Sequence, residues 1–346
     1  LELMTTKFAC EEGVFIPEQR LKNAVLYVGR QNLYCPIKNY LDRCASEYKP
    51  HPEWENLSEV FLGSPHPKLA TIVMQRMMIG AVARAYNPGC NMSWMPILVG
   101  KQGIGKSMFS RNLVPEGLFV EISTPLDKLM EETYRLHSGW LLELPEVDDY
   151  FTARHIQKFK NLLTTQEDLV RFPYAQLQSI LKRRFIMIGT TNRTQFLVDS
   201  TGNRRFVPLE IGRNFLIPWR RLAQEREQLW HSAVMAYREG QQYEFVSSEI
   251  QKISNYVQQF GDPDPWMDKI IAYLASRTEV KATDILTKAL GIDTERLTSK
   301  ETKRVASVME SLGWERKQTT RQGKSVRLWL RPENDPIDED DLFNEF

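Results

Sequence analysis

The chain has 346 residues, too many for one small core and enough for two or three compact domains. At 42% apolar and 26% charged residues it has the composition of a globular protein, which argues against a disordered or fibrous chain. The net charge of +1 hides an asymmetry: residues 333–346 carry acids and no base, whereas residues 265–331 carry 14 Lys and Arg against 8 Asp and Glu.

Four cysteines without a Cys-x-x-Cys pair and five histidines without zinc-like spacing point to reduced thiols in a cytoplasm. The opening "LELMTTKFACEEG" has no basic stretch followed by an apolar one, so no secretory signal is visible, and the start at Leu1 suggests a fragment of something longer. Residues 1–92 read as helical, with "LKNAVLYVGRQNLY", "IKNYLDRCASEY" and the apolar stretch Leu69 to Tyr86. Gln75, Arg76 and Arg84 interrupt that stretch, which a bilayer core penalises, so it predicts a buried helix.

Next comes "MPILVGKQGIGKSMFSRNLV", an apolar run of the kind that forms a buried parallel strand, a glycine loop and the opening of a helix. Gly100, Gly105, Lys106 and Ser107 fit the phosphate-loop pattern, and Gly103 adds a glycine inside it. Glycines permit backbone angles that turn N–H groups toward phosphate oxygens at a helix N-terminus. The loop from Gly100 through Gln102, Gly103, Ile104, Gly105, Lys106 and Ser107 to Met108 is therefore expected to hold ATP. Lys106 reaches the β- and γ-phosphates, and the Ser107 hydroxyl ligates magnesium.

A second strand in "GWLLELPEVDDY" delivers Glu143 and Glu146 near its C-terminal end, where parallel sheets bind ligands. One glutamate is expected to hold the magnesium shell and the other to orient or deprotonate the attacking water; Glu143 for metal and Glu146 for water is preferred, and spacing leaves the reverse open. Asp148 and Asp149 read as solvated turn residues before the helix "FTARHIQKFKNLL". The third strand, "RFIMIGTTN", ends on Asn192, a candidate sensor for water and γ-phosphate. In "VDSTGNRRFVPLEI", Arg205, with Arg204 second, is the candidate for a cation supplied to a neighbouring subunit's nucleotide.

These segments resemble the virulence-associated E family, whose ATPase core is similar to superfamily 3 helicases within the AAA+ class. The resemblance rests on "YCPIKNYLDRC", "IGAVARAYNPGC", "GKQGIGKS", "LLELPEV", "LVRFPY", "IGTTN" and "DSTGNRRF" in that order. Leu144 and Pro145 separate the two glutamates, which in a common AAA+ pattern are adjacent. The resemblance implies a phage, plasmid or mobile-element replication protein that hydrolyses ATP as a homo-oligomeric ring, a hexamer, around DNA. It also implies a primase-like domain upstream in many relatives, and a helical collar over residues 1–92 that supports assembly.

In related helicases a hairpin between the second and third strands points into the pore. Arg171, Lys182 and Arg183, with Lys158 and Lys160 on the preceding helix, are the candidates for a single strand there. The competing reading pairs Arg171 with Asp168 as a brace.

After the ATPase core at 93–212, residues 213–262 predict amphipathic helices of a small lid, and "FGDPDPW" a linker. Residues 263–332 then read as three helices and a hairpin, a winged helix that binds DNA through Lys300, Lys303, Arg304, Lys317, Arg321 and Lys324 or docks protein. The acidic tail, 333–346, reads as disordered. The fold class is therefore α/β, with an AAA+ core, an N-terminal helical region and a C-terminal winged helix. The expected function is a magnesium- and ATP-dependent DNA helicase; an ATP-switched initiator or loader and a small-molecule phosphotransferase are the alternatives.

Overall fold

The computed structural model describes residues 2–31, 34–152, 154–171, 178–197, 203–261, 265–293, 298–321 and 324–331. The first seven strands are β1 (Met95–Val99), β2 (Phe119–Glu121), β3 (Leu141–Leu144), β4 (Glu167–Val170), β5 (Ser179–Lys182), β6 (Ile186–Thr191) and β7 (Phe206–Glu210). Five of them form one parallel sheet in the order β2-β3-β6-β1-β7. Strands β1, β3 and β6 are buried along their whole length, which is why they read as unbroken apolar runs and not as alternating ones. With β1 between β6 and β7 and β2 at the far edge, a crevice opens outside the C-terminal end of β1. Strands β4 and β5 make a separate antiparallel hairpin between β3 and β6 in the chain.

The Pro67–Tyr86 helix is apolar nearly all round and therefore buried, with Leu69, Val73, Met77 and Ala81 inside. Trp140, just before β3, donates its indole N–H to the Ala81 carbonyl at 3.2 Å and lies 4.3 Å from the ring of Trp230. Trp230, on the Trp219–Arg238 helix, donates to the Leu113 carbonyl at 2.7 Å. Those contacts join both long helices, the sheet and the Lys106–Leu113 helix, and one hydrophobic core runs from Ile37 to Phe260. Arg84, only 1% exposed, donates to the carbonyls of Phe185 (2.7 Å) and Met92 (3.3 Å). Burial, with the like charge of Arg183 adding to it, lowers its pKa to about 10.

A second core, from Ile270 to Trp329, belongs to the C-terminal unit. It combines the Met267–Leu274 helix, β8 (Glu279–Val280), a helical stretch from 282 to 289, the Ser299–Ser311 helix, and strands β9 (Glu315–Arg321) and β10 (Lys324–Leu330). The sheet order is β8-β10-β9, so the two-residue β8, too short to register as a pattern, completes the sheet. Among the described residues no helix is long and apolar enough to cross a membrane. The tail 333–346 and the turn at 322–323 lie outside the described residues.

Candidate active site

The glycine loop leaves β1 at Val99 and enters the Lys106–Leu113 helix. Gly103 and Gly105 have φ of 82° and 100°, the left-handed region that a side chain strains. At Gly100 the constraint is space: a Cβ there would sit 2.7 Å from Ile104 Cδ1. Ile104 itself accepts the Ile217 N–H at 3.0 Å, anchoring the loop to the segment after β7. Gln102, Gly103, Gly105, Lys106, Ser107 and Met108 line a cavity of about 340 Å³, whereas Gly100 and Ile104 are not among its lining residues. The far wall is Pro145, Glu146, Thr190, Thr191 and Asn192.

Lys106 Nζ donates to the carbonyls of Gly100 (2.5 Å) and Lys101 (2.8 Å) and to Asn192 Oδ1 (2.7 Å). Burial lowers its pKa, and the Glu143 carboxylate opposes that shift. The Ser107 hydroxyl donates to Glu143 Oε1 at 2.7 Å, and Thr190 Oγ1 donates to the same oxygen at 3.1 Å. Glu143 is fully buried, and burial raises its pKa against those two hydrogen bonds. Its other oxygen, Oε2, is buried with no hydrogen-bond partner among the described residues. An orphaned carboxylate oxygen beside a serine hydroxyl fits a divalent cation, held by Ser107 and Glu143.

Glu146 is exposed at the cavity wall with φ of 47°, the one positive φ among the described non-glycine residues. A glutamate in that left-handed conformation is strained, as residues at functional sites often are. Asp148 corrects the solvated-turn reading: it accepts the Thr191 hydroxyl at 2.8 Å and the Arg193 guanidinium at 2.9 Å. The short 3-10 turn Val147–Tyr150 carries both aspartates, and the next helix begins only at Ile156. Thr190, the first residue of the polar end "TTN", and Arg193, the residue after it, were given no role by the sequence reading.

Arg204 and Arg205 lie in the turn just before β7. Phe206 is in register with Met95, while Glu210 is in register with Val99, so the arginines sit at the opposite end of the sheet from the glycine loop. At ~3.3 Å per residue the strands alone separate the two ends by roughly 13 Å. The arginines line a small cavity with Ser93, Trp94, Glu244 and Phe245, and not the 340 Å³ cavity. Asp199, Thr201 and Gly202 lie outside the described residues.

The model of the virulence-associated protein E-like domain matches residues 41–260, the span of the larger core. The chain belongs to the virulence-associated protein E-like family. Among curated proteins none matches the sequence. The apo structure of the NrS-1 C terminal region (305-718) aligns with a TM-score of 0.51 and 16% identity, over 86% of this chain and 79% of that one. An A form of the same region aligns with a TM-score of 0.42 and 15% identity, over 82% and 78%. The first likeness bears on fold alone.

Two of the nucleic-acid candidates in this family member are corrected by the fold. Arg183 is 1% exposed: its Nε and Nη2 each lie 2.7 Å from an Asp168 oxygen, and it also donates to the Leu162 carbonyl. Arg183, and not Arg171, is the partner of Asp168, which also lies 3.0 Å from His137 Nε2. Lys160 is buried on the inner face of its helix. Neither presents a cation to a strand. Lys158 lies 2.6 Å from Asp127, and Lys182 stands opposite Glu167 in the hairpin. Arg171 is exposed at the end of β4, whereas Tyr174 lies outside the described residues. In the C-terminal unit Lys303 is exposed, Arg304 stacks on Trp266 at 4.1 Å, and Lys317 lies 3.6 Å from Glu315. The side chains of Lys300, Arg321 and Lys324 are outside the described residues.

Proposed function

We propose that this chain is a magnesium-dependent ATPase with an AAA+ core similar to superfamily 3 helicases, which assembles into a ring, a hexamer, and moves DNA during replication of a phage, plasmid or other mobile element. It works in the cytoplasm, alongside a primase supplied upstream or separately. The observation that carries the reading is the separation of parts along one rigid sheet. Lys106, Ser107, Glu143, Glu146 and Asn192 converge at the C-terminal edge, while Arg204 and Arg205 occupy the N-terminal edge, about a strand length away.

ATP binding would draw the Lys106 ammonium from its two carbonyls to the β- and γ-phosphates, with the N–H groups of residues 103–108 around the β-phosphate. Magnesium held by Ser107 and Glu143 would neutralise charge on the phosphate oxygens. Burial at Glu143 and exposure at Glu146 support the division of labour: Glu143 beside the cation, Glu146 toward the attacking water. Asn192 orients that water and, through its bond to Lys106, couples it to the γ-phosphate. Arg205 of a neighbouring copy would stabilise the charge of the transferring phosphoryl group.

The C-terminal helix–strand–helix–helix–hairpin unit is a winged helix in this reading. The test is ATP turnover and unwinding of a forked duplex, with native mass measured with and without ATP and DNA. Assembly, turnover and strand separation together support the reading. Turnover in an assembled protein without strand separation favours the initiator or loader, and a protomer that hydrolyses ATP alone overturns the shared site.

A further inference from the structure

The C-terminal unit carries a cleft of about 450 Å³ between the Ser299–Ser311 helix and the inner face of the β9–β10 hairpin. Its helix side is Ser299, Thr302, Lys303 and Ala306, spaced i, i+3, i+4 and i+7 and hence one stripe. Its hairpin side follows from strand parity. Arg316 is in register with Trp329, and Arg327 lies two residues before Trp329, so the three share a face. Trp329, 3% exposed, belongs to the core floor, while Arg316, Arg327 and Lys303 are exposed. Ala282 closes the end. Three cations and two hydroxyls line the cleft with Trp329 and two alanines, and no acid lines it among the described residues.

From this placement we infer that the cleft seats the phosphodiester backbone of a nucleic-acid strand, with Arg316, Arg327 and Lys303 neutralising phosphates and the Ser299 and Thr302 hydroxyls bonding their oxygens. The inference rests on the DNA-handling reading above and relocates the contact. Lys317 is on the other face of β9 beside Glu315, and Arg304 is turned to Trp266, so charge density alone misplaces the surface. Arginine forks suit phosphate oxygens bidentately, and phosphate contacts fix register without reading sequence. The cleft therefore binds any base sequence with a steep salt dependence.

The experiment titrates the full chain, without nucleotide, into a fluorescent single strand and its duplex at several salt concentrations. Arg316→Ala/Arg327→Ala is expected to bind about tenfold more weakly, with a log–log salt slope shallower by about 1.4 on the single strand or about 1.8 on the duplex. Lys303→Ala, on the opposite wall, is expected to lower the slope by about half as much, which guards against a hairpin that has merely lost its shape. The inference is overturned if affinity and slope persist in the double variant, or if Lys317→Ala costs as much as Arg327→Ala. Competition by an acidic peptide as effective as competition by an unlabelled oligonucleotide would also overturn it, by making the cleft a protein-docking site. Because nucleotide is absent, a chain that hydrolyses no ATP can pass this test and an active ATPase can fail it.

Discussion

Asp168→Asn offers a quantitative test of the brace beneath the β4–β5 hairpin. Burial pushes the Asp168 carboxyl upward, yet hydrogen bonds from Arg183 and His137 overcome that push and hold its pKa at about 2, against an ordinary 3.8. At about 1.36 kcal/mol per unit, ionised Asp168 contributes about 2 kcal/mol at neutral pH, and its 5% exposure leaves little solvent screening to discount. Removing the charge also strands a guanidinium that is 1% exposed, a change that costs about 3–5 kcal/mol in buried pairs. These are two views of one interaction, so the expected loss is about 2–4 kcal/mol. The sign is fixed by the depressed pKa: the stabilisation is complete above the unfolded value and fades as pH falls from about 4 through about 2. Urea unfolding followed by the fluorescence of Trp140 and Trp230, within the same core, reads both effects. Arg183→Met in the Asp168→Asn background should recover part of the loss, since no lone charge stays buried. A loss under about 0.5 kcal/mol, ordinary for a surface substitution, would refute the brace.

Glu146→Gln should keep ATP binding, measured by a fluorescent analogue, and reduce turnover by about 10²–10⁴-fold; equal turnover would remove Glu146 as the base. Lys106→Ala should weaken nucleotide binding in the same assay. Arg205→Ala should bind nucleotide normally yet fail to hydrolyse it, and mixing it with Lys106→Ala should restore part of the activity at mixed seams. Normal hydrolysis by Arg205→Ala alone would reject that residue. Deleting residues 333–346 should tighten DNA binding if their acids compete for the basic unit, and unchanged affinity dismisses competition.

Much of the site was legible because chemistry and periodicity agreed there. The runs that became β1, β3 and β6 are unbroken because both faces are buried, and each leads into the cavity wall, at Gln102 after β1, Glu146 after β3 and Thr191 and Asn192 at the end of β6. The misplaced cations broke a periodicity that was also in the sequence. Along β4, Asp168 and Val170 face inward and Glu167 and Leu169 outward, so Arg171, three residues from Asp168, is on the wrong face to pair with it. On the Ile156–Thr164 helix, Lys160 falls on the stripe of Ile156, Phe159 and Leu163, whereas Lys158 does not. Asp148 is a different case. An aspartate after a strand looks the same in sequence whether it faces water or Thr191, and only the placement of β6 beside β3 decides it.

The ring reading gains most from what the sheet forbids. Strands β1 and β7 run side by side for five residues, fully registered and almost wholly buried, so neither end can slide toward the other without breaking the core. A chain therefore cannot bring Arg204 or Arg205 to its own Lys106 by loop motion. If those arginines act on a triphosphate, the triphosphate belongs to another copy. The short turn that carries them packs against the Ser247–Gln258 helix, whose Glu249 grips Arg76 of the central helix through two 2.6 Å bonds. The two arginines are thus fixed to the same core that shapes the pocket at the far edge. If copies assemble with these arginines at a neighbour's pocket, as proposed, a shift between them would alter both halves of that shared site together, which is the physical requirement for hydrolysis to be felt around a ring.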